Sequence, residues 1–140
     1  MKARNHGIIV SLTILTRWTE LDFAIQGCLK IRELYSVLIA RHKIVNDIRE
    51  SLLEKCSAKT EDGKRKETKL PNGDIQTEIN PDYKEEFETK INELMNAEFE
   101  IDDDLVLESA DFGDAKVQPK EVLALDTLVK NPFAKKDTPT

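Results

Sequence analysis

The strongest pattern of hydrophobic and polar positions runs from about Gln26 to Ser57. Its apolar residues recur mostly at intervals of three and four, which places them on one face of a helix. They are Ile31, Leu34, Leu38, Val45, Ile48 and Leu52. The stripe is interrupted at one position, where Arg41 stands in place of the expected apolar residue. The pattern predicts one long amphipathic helix of roughly 30 residues, about 45 Å in length.

A second helix is predicted from about Pro81 to Asn96. Asn80 is a favourable capping residue, and Pro81 suits the first helical position. The apolar stripe of this helix consists of Tyr83, Phe87, Ile91, Leu94 and Met95. Because these residues share one face, they suit packing against the long helix. We therefore expect an antiparallel helical hairpin over residues 26–96 to form the scaffold.

The connection between the two helices is polar from Ala58 to Lys69 and shows no apolar period, so a loop is predicted there. Further on, the pair Asn72-Gly73 can supply positive φ at both central positions of a tight turn. Apolar and polar residues alternate over 75–79, as they do in a strand. This combination predicts a small, solvent-exposed β-hairpin.

The segment that precedes the long helix contains a further helical pattern. Apolar residues stand near helical spacing from His6 to about Thr19, which predicts a helix. The stretch from Glu20 to Ile25 alternates, so it is either a short extended segment or the beginning of the long helix.

The apolar period changes from 3.6 to 2 after Asn96, which predicts one or two short strands in an acidic region, residues 97–114. A short C-terminal helix is predicted over residues 119–130, and a disordered tail over 131–140. The predicted fold class is mainly α with a minor β part (α+β). It comprises a long helical hairpin, a small β-hairpin with short strands and a short C-terminal helix, in a single domain of residues 1–130.

Length and composition bound the kind of protein. The chain has 140 residues, of which 39% are hydrophobic and 34% are charged. It is long enough for one core, and its charge content is above that of an average domain, which favours an elongated or partner-dependent shape. Cys28 and Cys56 are too few for a disulfide framework and match no metal-binding pattern. A reducing compartment fits this cysteine usage.

The N-terminus begins as a signal peptide would, because Lys2 and Arg4 precede an apolar run from Ile8 to Leu15. However, Arg17 and Glu20 stand where the small residues of a cleavage site are needed. The run is also far shorter than the roughly 18 apolar residues of a membrane-spanning helix. We expect a soluble intracellular protein that makes no membrane contact.

Charge is distributed unevenly along the chain. The formal net charge is −6, but residues 1–69 carry 14 basic and 9 acidic side chains. Residues 82–114 carry 13 acidic and 2 basic side chains. The sequence therefore predicts an electrically polarised molecule with one concentrated acidic segment.

The acidic residues of this segment are the candidate partner-binding residues. They are Glu98, Glu100, Asp102, Asp103, Asp104 and Glu108. A calcium loop needs a glycine at its sixth position, and none stands there, so no metal site is predicted. The run is either a binding face or a solvated edge that discourages aggregation of strands, and both interpretations stay open.

No catalytic site is predicted. The two histidines are His6, near the terminus, and His42, which lies between basic neighbours, and neither has a clear catalytic partner in the sequence. Cys28 and Cys56 are predicted to be small buried hydrophobic residues. The chain has no glycine-rich phosphate loop, and acidic residues are interleaved with the basic ones of the long helix. We therefore expect no enzyme, no cofactor, no small-molecule substrate and no direct nucleic-acid binding.

Short motifs spread over most of the chain follow one another in a recognisable order. They are Met1-Lys2 with Asn5, Leu21-Asp22-Phe23-Ala24-Ile25, Asp62-Gly63, Glu86-Phe87 with Asn92-Glu93-Leu94, Glu98-Phe99-Glu100-Ile101-Asp102, and Gln118-Pro119-Lys120-Glu121-Val122-Leu123-Ala124-Leu125. In this order the chain resembles a family of small uncharacterised tailed-phage proteins, the domain of unknown function numbered 1617. It departs from the family in lacking a proline before the long helix and in its basic tail from Lys135. The resemblance implies a phage gene product and transfers no functional residue.

The predicted function is that of a non-enzymatic phage interaction protein: an assembly factor, a chaperone or a minor structural adaptor. The alternative is an acidic inhibitor of a host protein, such as a polymerase or a defence factor, which could act by mimicking a nucleic acid. The expected partner is a phage structural protein or a host protein, and self-association of the long helix is a further option. The expected location is the host cytoplasm or the virion.

Overall fold

A computed structural model describes residues 1–125 and 128–129 of the chain. The helices are α1 (Ile8–Trp18), α2 (Ile25–Cys56), α3 (Lys84–Asn96) and α4 (Pro119–Leu125), and the strands are β1 (Lys2–Arg4), β2 (Glu67–Lys69), β3 (Ile75–Thr77) and β4 (Glu98–Glu100). Short 3-10 helices cover Asn5–Gly7, Pro81–Tyr83, Asp103–Leu105 and Ser109–Phe112. The predicted fold class, mainly α with a minor β part, is confirmed. The predicted tail over 131–140 lies outside the described residues.

The chain forms two compact units. Among the described residues, the first contains residues 1–42, 98–125 and 128–129, and the second contains residues 43–97. Helix α2 contributes its first part to one unit and its last part to the other.

The core of the first unit is built by one face each of α1 and α2. Leu15 and Trp18 of α1 and Leu34 of α2 are completely buried. Trp18 also packs with Phe23 and Phe112, whose ring centroids lie 5.5 and 5.7 Å from its own. Aromatic rings at such separations contribute both buried area and favourable ring contacts. The apolar run that begins like a signal peptide is thus a helix with one face in the core.

The long helix matches its prediction closely, beginning at Ile25 and ending at Cys56. Its predicted stripe is buried at Ile31, Leu34, Leu38 and Val45. The prediction was wrong for Ile48, whose surface is 44% exposed. Leu52, the last member, is half-buried. A repeat of 3.5 residues drifts around a helix with 3.6 residues per turn, so burial of the stripe weakens after Val45.

Arg41 lies on the buried face of α2 because two groups in its own unit receive its guanidinium. Its Nε donates a hydrogen bond to Asn5 Oδ1 at 2.9 Å. The guanidinium carbon also lies 4.9 Å from the centre of the Phe99 ring, which is a cation–π distance. The charge that interrupts the predicted stripe therefore connects α2 to β4 and to the turn after β1.

The start of α2 is in close contact with the segment that ends at Phe112. A Cβ atom at Gly27 would lie only 2.1 Å from the backbone oxygen of Asp111, so only glycine allows this approach. The Lys30 ammonium lies 2.8 Å from the buried Asp111 carboxylate and also donates to the Val106 carbonyl at 3.2 Å. Ala24 N–H donates to the Asp111 carbonyl at 3.1 Å. These bonds fix the segment on the helix.

Helices α1 and α4 are joined by a second ion pair. Arg17 Nε donates to Glu121 Oε2 at 2.7 Å, and Arg17 Nη2 donates to Glu121 Oε1, so the pair is bidentate. Glu121 also accepts a hydrogen bond from Gln118 N–H at 3.1 Å. The Arg17 hydrogen bond, opposed by burial, lowers the pKa of the Glu121 carboxyl below its ordinary value near 4.5.

The second unit contains the predicted β-hairpin, formed by β2 and β3 in antiparallel pairing. Strand β2 lies inside the polar segment that was predicted to be a loop, a prediction that was wrong because this exposed strand carries no apolar period. The turn is also displaced by one residue from its predicted position, in which Asn72 and Gly73 were the central residues. Gly73 N–H donates to the Leu70 carbonyl at 3.0 Å, so Pro71 and Asn72 are its central residues, and Gly73 follows with φ +90°. Proline favours the first central position of a turn, which explains this register.

The predicted helix start at Pro81 is a 3-10 helix, Pro81–Tyr83, and α3 follows it at Lys84. Asn80 caps the 3-10 helix as predicted, with its Oδ1 accepting a hydrogen bond from Asp82 N–H at 3.0 Å. Asn80 N–H also donates to the Cys56 carbonyl at 2.8 Å, which brings the end of α2 beside the start of α3. The Lys55–Glu86 ion pair, at 2.8 Å, joins the same two helices. The predicted α3 stripe is only half-buried, and its first residue, Tyr83, is exposed.

Two predictions near the ends of the first unit are refined. Residues 20–24 form neither a strand nor part of α2: Glu20 is in a turn, Leu21 is in a bend, and residues 22–24 have no regular structure, although Phe23 is buried. Helix α4 spans Pro119–Leu125, and the remainder of the predicted helix includes residues 126–127 and 130, which lie outside the described residues. Val129 is buried and forms an isolated parallel bridge with Leu107.

Replacing Gly27 with alanine tests the close approach of Asp111. Alanine favours an isolated helix by up to about 1 kcal/mol, yet Gly27→Ala is expected to destabilise the protein by about 1–3 kcal/mol because the new methyl group meets backbone. Urea unfolding, followed by the fluorescence of the single tryptophan, Trp18, measures this change. Gly7→Ala is the control, since a Cβ there has no neighbour within 4 Å. Equal stability of the two variants would contradict the contact.

The Arg17–Glu121 pair predicts a pH dependence of stability. Because folding lowers the pKa of Glu121, the pair stabilises the protein above about pH 4.5, and this stabilisation is lost as the pH falls through the folded pKa. The difference in unfolding free energy between the parent and Glu121→Gln should therefore be largest near neutral pH and shrink in acid. Glu88→Gln, an exposed change of the same kind, should show no such trend in urea titrations from pH 3 to 7. A difference that is constant with pH would rule out this role for the ionised carboxylate.

Candidate functional site

The acidic strand β4 pairs with the basic strand β1. The two strands are antiparallel, and Lys2 lies opposite Glu100 while Arg4 lies opposite Glu98. Arg4 Nε is 3.8 Å from Glu98 Oε1, and both side chains are exposed. Opposite charges at facing positions stabilise an antiparallel pair. The first two candidate residues are therefore matched by basic residues from the other end of the chain.

Strand β1 was missed at the level of sequence. Its three residues alternate charged, apolar and charged, and so do those of β4. This complementary pattern is the signal that could have predicted the pairing. Three residues are too few for a period to stand out, and the intervening chain carries much stronger patterns.

The amino group of Met1 lies against the acidic residues that follow β4. It is 2.7 Å from Asp103 Oδ1, 3.4 Å from Glu100 Oε2 and 3.1 Å from the Ile101 carbonyl oxygen. The hydrogen bond to Asp103, opposed by desolvation, raises the pKa of this amino group above its ordinary value of 8.0. Asp103 and Glu100 thus make contacts within the chain while their side chains stay largely open to solvent.

The three consecutive aspartates form a short 3-10 turn, which we call the acidic turn (Asp102–Leu105). Asp102 caps it, since its Oδ1 accepts a hydrogen bond from Asp104 N–H at 3.0 Å. Leu105 N–H donates to the Asp102 carbonyl at 3.0 Å. The residues at its two sides, Ile101 and Leu107, are buried. The acidic turn is therefore anchored in the core at both sides while all three carboxylates are exposed.

Glu108, the last candidate residue, caps the 3-10 helix Ser109–Phe112. Its side chain accepts a hydrogen bond from the Asp111 N–H, while Glu108 N–H donates to Asp111 Oδ2 at 2.8 Å. This reciprocal arrangement is a capping box. The Asp111 carboxylate belongs to both the capping box and the Lys30 pair, so Glu108 is connected to the start of α2.

The six candidate residues are thus exposed but differ in what else they do. Glu98 faces a basic partner, Glu100 and Asp103 contact the Met1 amino group, and Asp102 and Glu108 are caps. The three aspartates of the acidic turn are consecutive in sequence, and all of them are exposed. Among the described residues, no three His, Cys, Asp or Glu side chains are arranged to hold a metal ion.

The histidines and cysteines occupy unremarkable positions. His6 is exposed and His42 is half-buried. Cys56 is buried as predicted, whereas Cys28 is only partly buried. Within residues 1–125 and 128–129, no helix combines the length and the apolar character that crossing a membrane requires.

Comparison with protein families, with curated proteins and with solved structures finds no match for this chain. The resemblance to the tailed-phage family therefore stays a prediction.

The pairing of β1 with β4 predicts that exchanging the charges of Arg4 and Glu98 restores the stability that reversing either charge alone removes. Arg4→Glu places two carboxylates opposite each other and should cost about 0.5–1 kcal/mol of unfolding free energy, as should Glu98→Arg. The double variant should recover most of the loss. Lys64→Glu, an exposed reversal in the second unit, is the control for net charge. Additive losses in the double variant, measured by urea unfolding at low salt, would argue against this register.

Proposed function

We propose that this chain is a non-enzymatic interaction protein of a tailed phage, acting as an assembly factor, a chaperone or a minor structural adaptor. Its contact surface in this proposal is the acidic turn with the flanking Glu100 and Glu108. The partner is a phage structural protein or a host protein that presents basic side chains, and the host cytoplasm or the virion is the place of action.

The observation that supports this proposal most is the anchoring of the acidic turn. Ile101 and Leu107 are buried on either side of it, and Asp102 caps it, so its carboxylates stand on a backbone that is already ordered. A preorganised surface loses less conformational entropy on binding than a flexible run of the same charge. An ordered acidic turn is therefore better suited to a specific contact than to general solvation.

A second candidate function is inhibition of a host protein, for which three adjacent exposed carboxylates are the favourable feature. Such a group can occupy a basic groove that normally receives phosphates. Binding of this kind depends mainly on charge, so it should weaken steeply as salt is added. An assembly contact combines charge with apolar area and should be less sensitive to salt.

Neutralising the acidic turn tests the proposed contact surface. The variant carries Asp102→Asn, Asp103→Asn and Asp104→Asn, and asparagine at 102 can still cap the turn. We expect about tenfold weaker binding to the partner, because three charges at the interface are lost. The partner is first identified by affinity purification from infected cells with mass spectrometry, and binding is then measured with purified proteins.

The matched control removes three negative charges from the second unit through Asp82→Asn, Glu85→Gln and Glu88→Gln. It should bind as the parent does. A virion protein whose binding tolerates salt supports the assembly role, and a host protein whose binding is lost with salt supports inhibition. If both triple variants bind like the parent, the acidic turn is not the contact surface.

A further inference from the structure

The first unit contains a cleft of about 440 Å³ on the side of the β1–β4 pair. This volume is within the range of small-ligand sites, roughly 300–1,000 Å³. Its lining is about half polar and half apolar, and the apolar part comes mainly from α1, α2, β4 and α4. The wall residues are Ile8, Leu38, Phe99, Ala124 and Leu125, together with Leu128. Of the six candidate partner-binding residues, Glu98 is the one that also lines this cleft.

The polar lining of the cleft is mainly positive. Lys2, Arg4 and His6 contribute basic groups, and Glu98 is the one acidic residue among the described lining residues. Arg4 is held only loosely, since its Nε is 3.8 Å from Glu98 and more than half of its side chain is exposed. It can therefore turn towards an anion at the mouth of the cleft without breaking a strong contact.

A helix start adds further positive potential at the same place. The 3-10 helix Asn5–Gly7 continues directly into α1, and no side chain caps either of them. The first N–H groups of a helix have no partner within the helix, and they attract anions. His6, Gly7 and Ile8 of this helix start all line the cleft.

Ser11 is an independent sign that the cleft receives a polar ligand. Its surface is only 6% exposed, and it lines the cleft one turn beyond the start of α1. No hydrogen bond from its hydroxyl is found among the residues that the structure describes. Helical serines elsewhere in the chain, such as Ser36 and Ser51, bond to the carbonyl four residues earlier. Because this hydroxyl faces the open cleft and is not sealed in the core, water can satisfy it in the free protein, and a ligand oxygen can take the place of that water.

We propose that this cleft binds a small organic anion whose acidic headgroup meets Arg4, Ser11 and the start of α1, and whose short apolar chain lies against Ile8 and Leu125. The headgroup is a carboxylate or a phosphate monoester. The anion is either a free metabolite or the carboxylate of an apolar residue at the end of a peptide. This site is separate from the acidic turn and does not depend on the proposed function.

Octanoate and octyl phosphate are suitable probes for this cleft. Titration followed by backbone amide NMR should show saturable shifts at Ser11, Phe99 and Leu125, with weaker binding of octan-1-ol and none of acetate. Arg4→Gln should lower the affinity about tenfold, because a charge-assisted hydrogen bond is lost. Ser11→Ala should also lower it while leaving the unfolding midpoint unchanged or higher. Arg49→Gln, on the exposed side of α2 in the second unit, is the matched control.

Ala124→Leu provides a test by filling the cleft, since leucine is also a good helix former at this exposed position. It should abolish the shifts without unfolding the protein. A peptide that ends in a free leucine carboxylate, compared with its amide, separates the two sources of the anion. Binding that is absent for every probe, equal for octanoate and octan-1-ol, or lowered equally by Arg4→Gln and Arg49→Gln would overturn the proposal.

Discussion

The contact of Asp111 with the start of α2 is the constraint on which the first unit depends. The carbonyl of Asp111 reaches the helix where Gly27 leaves no side chain, and the carboxylate receives Lys30 and the N–H of Glu108. A buried ion pair is costly unless its remaining hydrogen-bonding capacity is used, and here the carboxylate has two donors. Because Leu107 and Phe112 are buried on either side, this contact also sets where the acidic turn leaves the core.

Charge is segregated along the sequence but mixed in space. The basic residues of β1 stand opposite the acidic residues of β4, the half-buried Lys30 is paired with the buried Asp111, and Arg17 is paired with Glu121. Pairing over such long sequence separations neutralises part of the acidic segment. Exposed carboxylates remain in the acidic turn of the first unit and, in the second unit, at Asp82, Glu85 and Glu88.

The two surfaces singled out for binding have different physical characters. The acidic turn is an exposed group of carboxylates on a fixed backbone, which suits a basic macromolecular partner. The cleft has a mixed polar and apolar lining that includes Arg4, Ser11 and Leu125, which suits a small anion with an apolar part. Both depend on β4, whose Glu98 and Phe99 line the cleft while its end leads into the acidic turn.

The sequence by itself determined the helices and the exposed hairpin. Helical period, the Asn80 cap and the turn around Asn72 are local signals, formed by residues within a few positions of each other, and they predicted α1, α2, the segment of α3 and a hairpin that contains β3. Strand β2 was predicted as a loop, because it carries no apolar period. The six acidic candidates could be named in advance, but their separation into paired, capping and open carboxylates could not. Only the tertiary structure decided that Lys2–Arg4 pairs with β4, that Asp111 lies against Gly27, and that Ser11 lines a cleft. Each of these contacts joins residues that are brought together only when the chain returns on itself, and no local propensity carries that information.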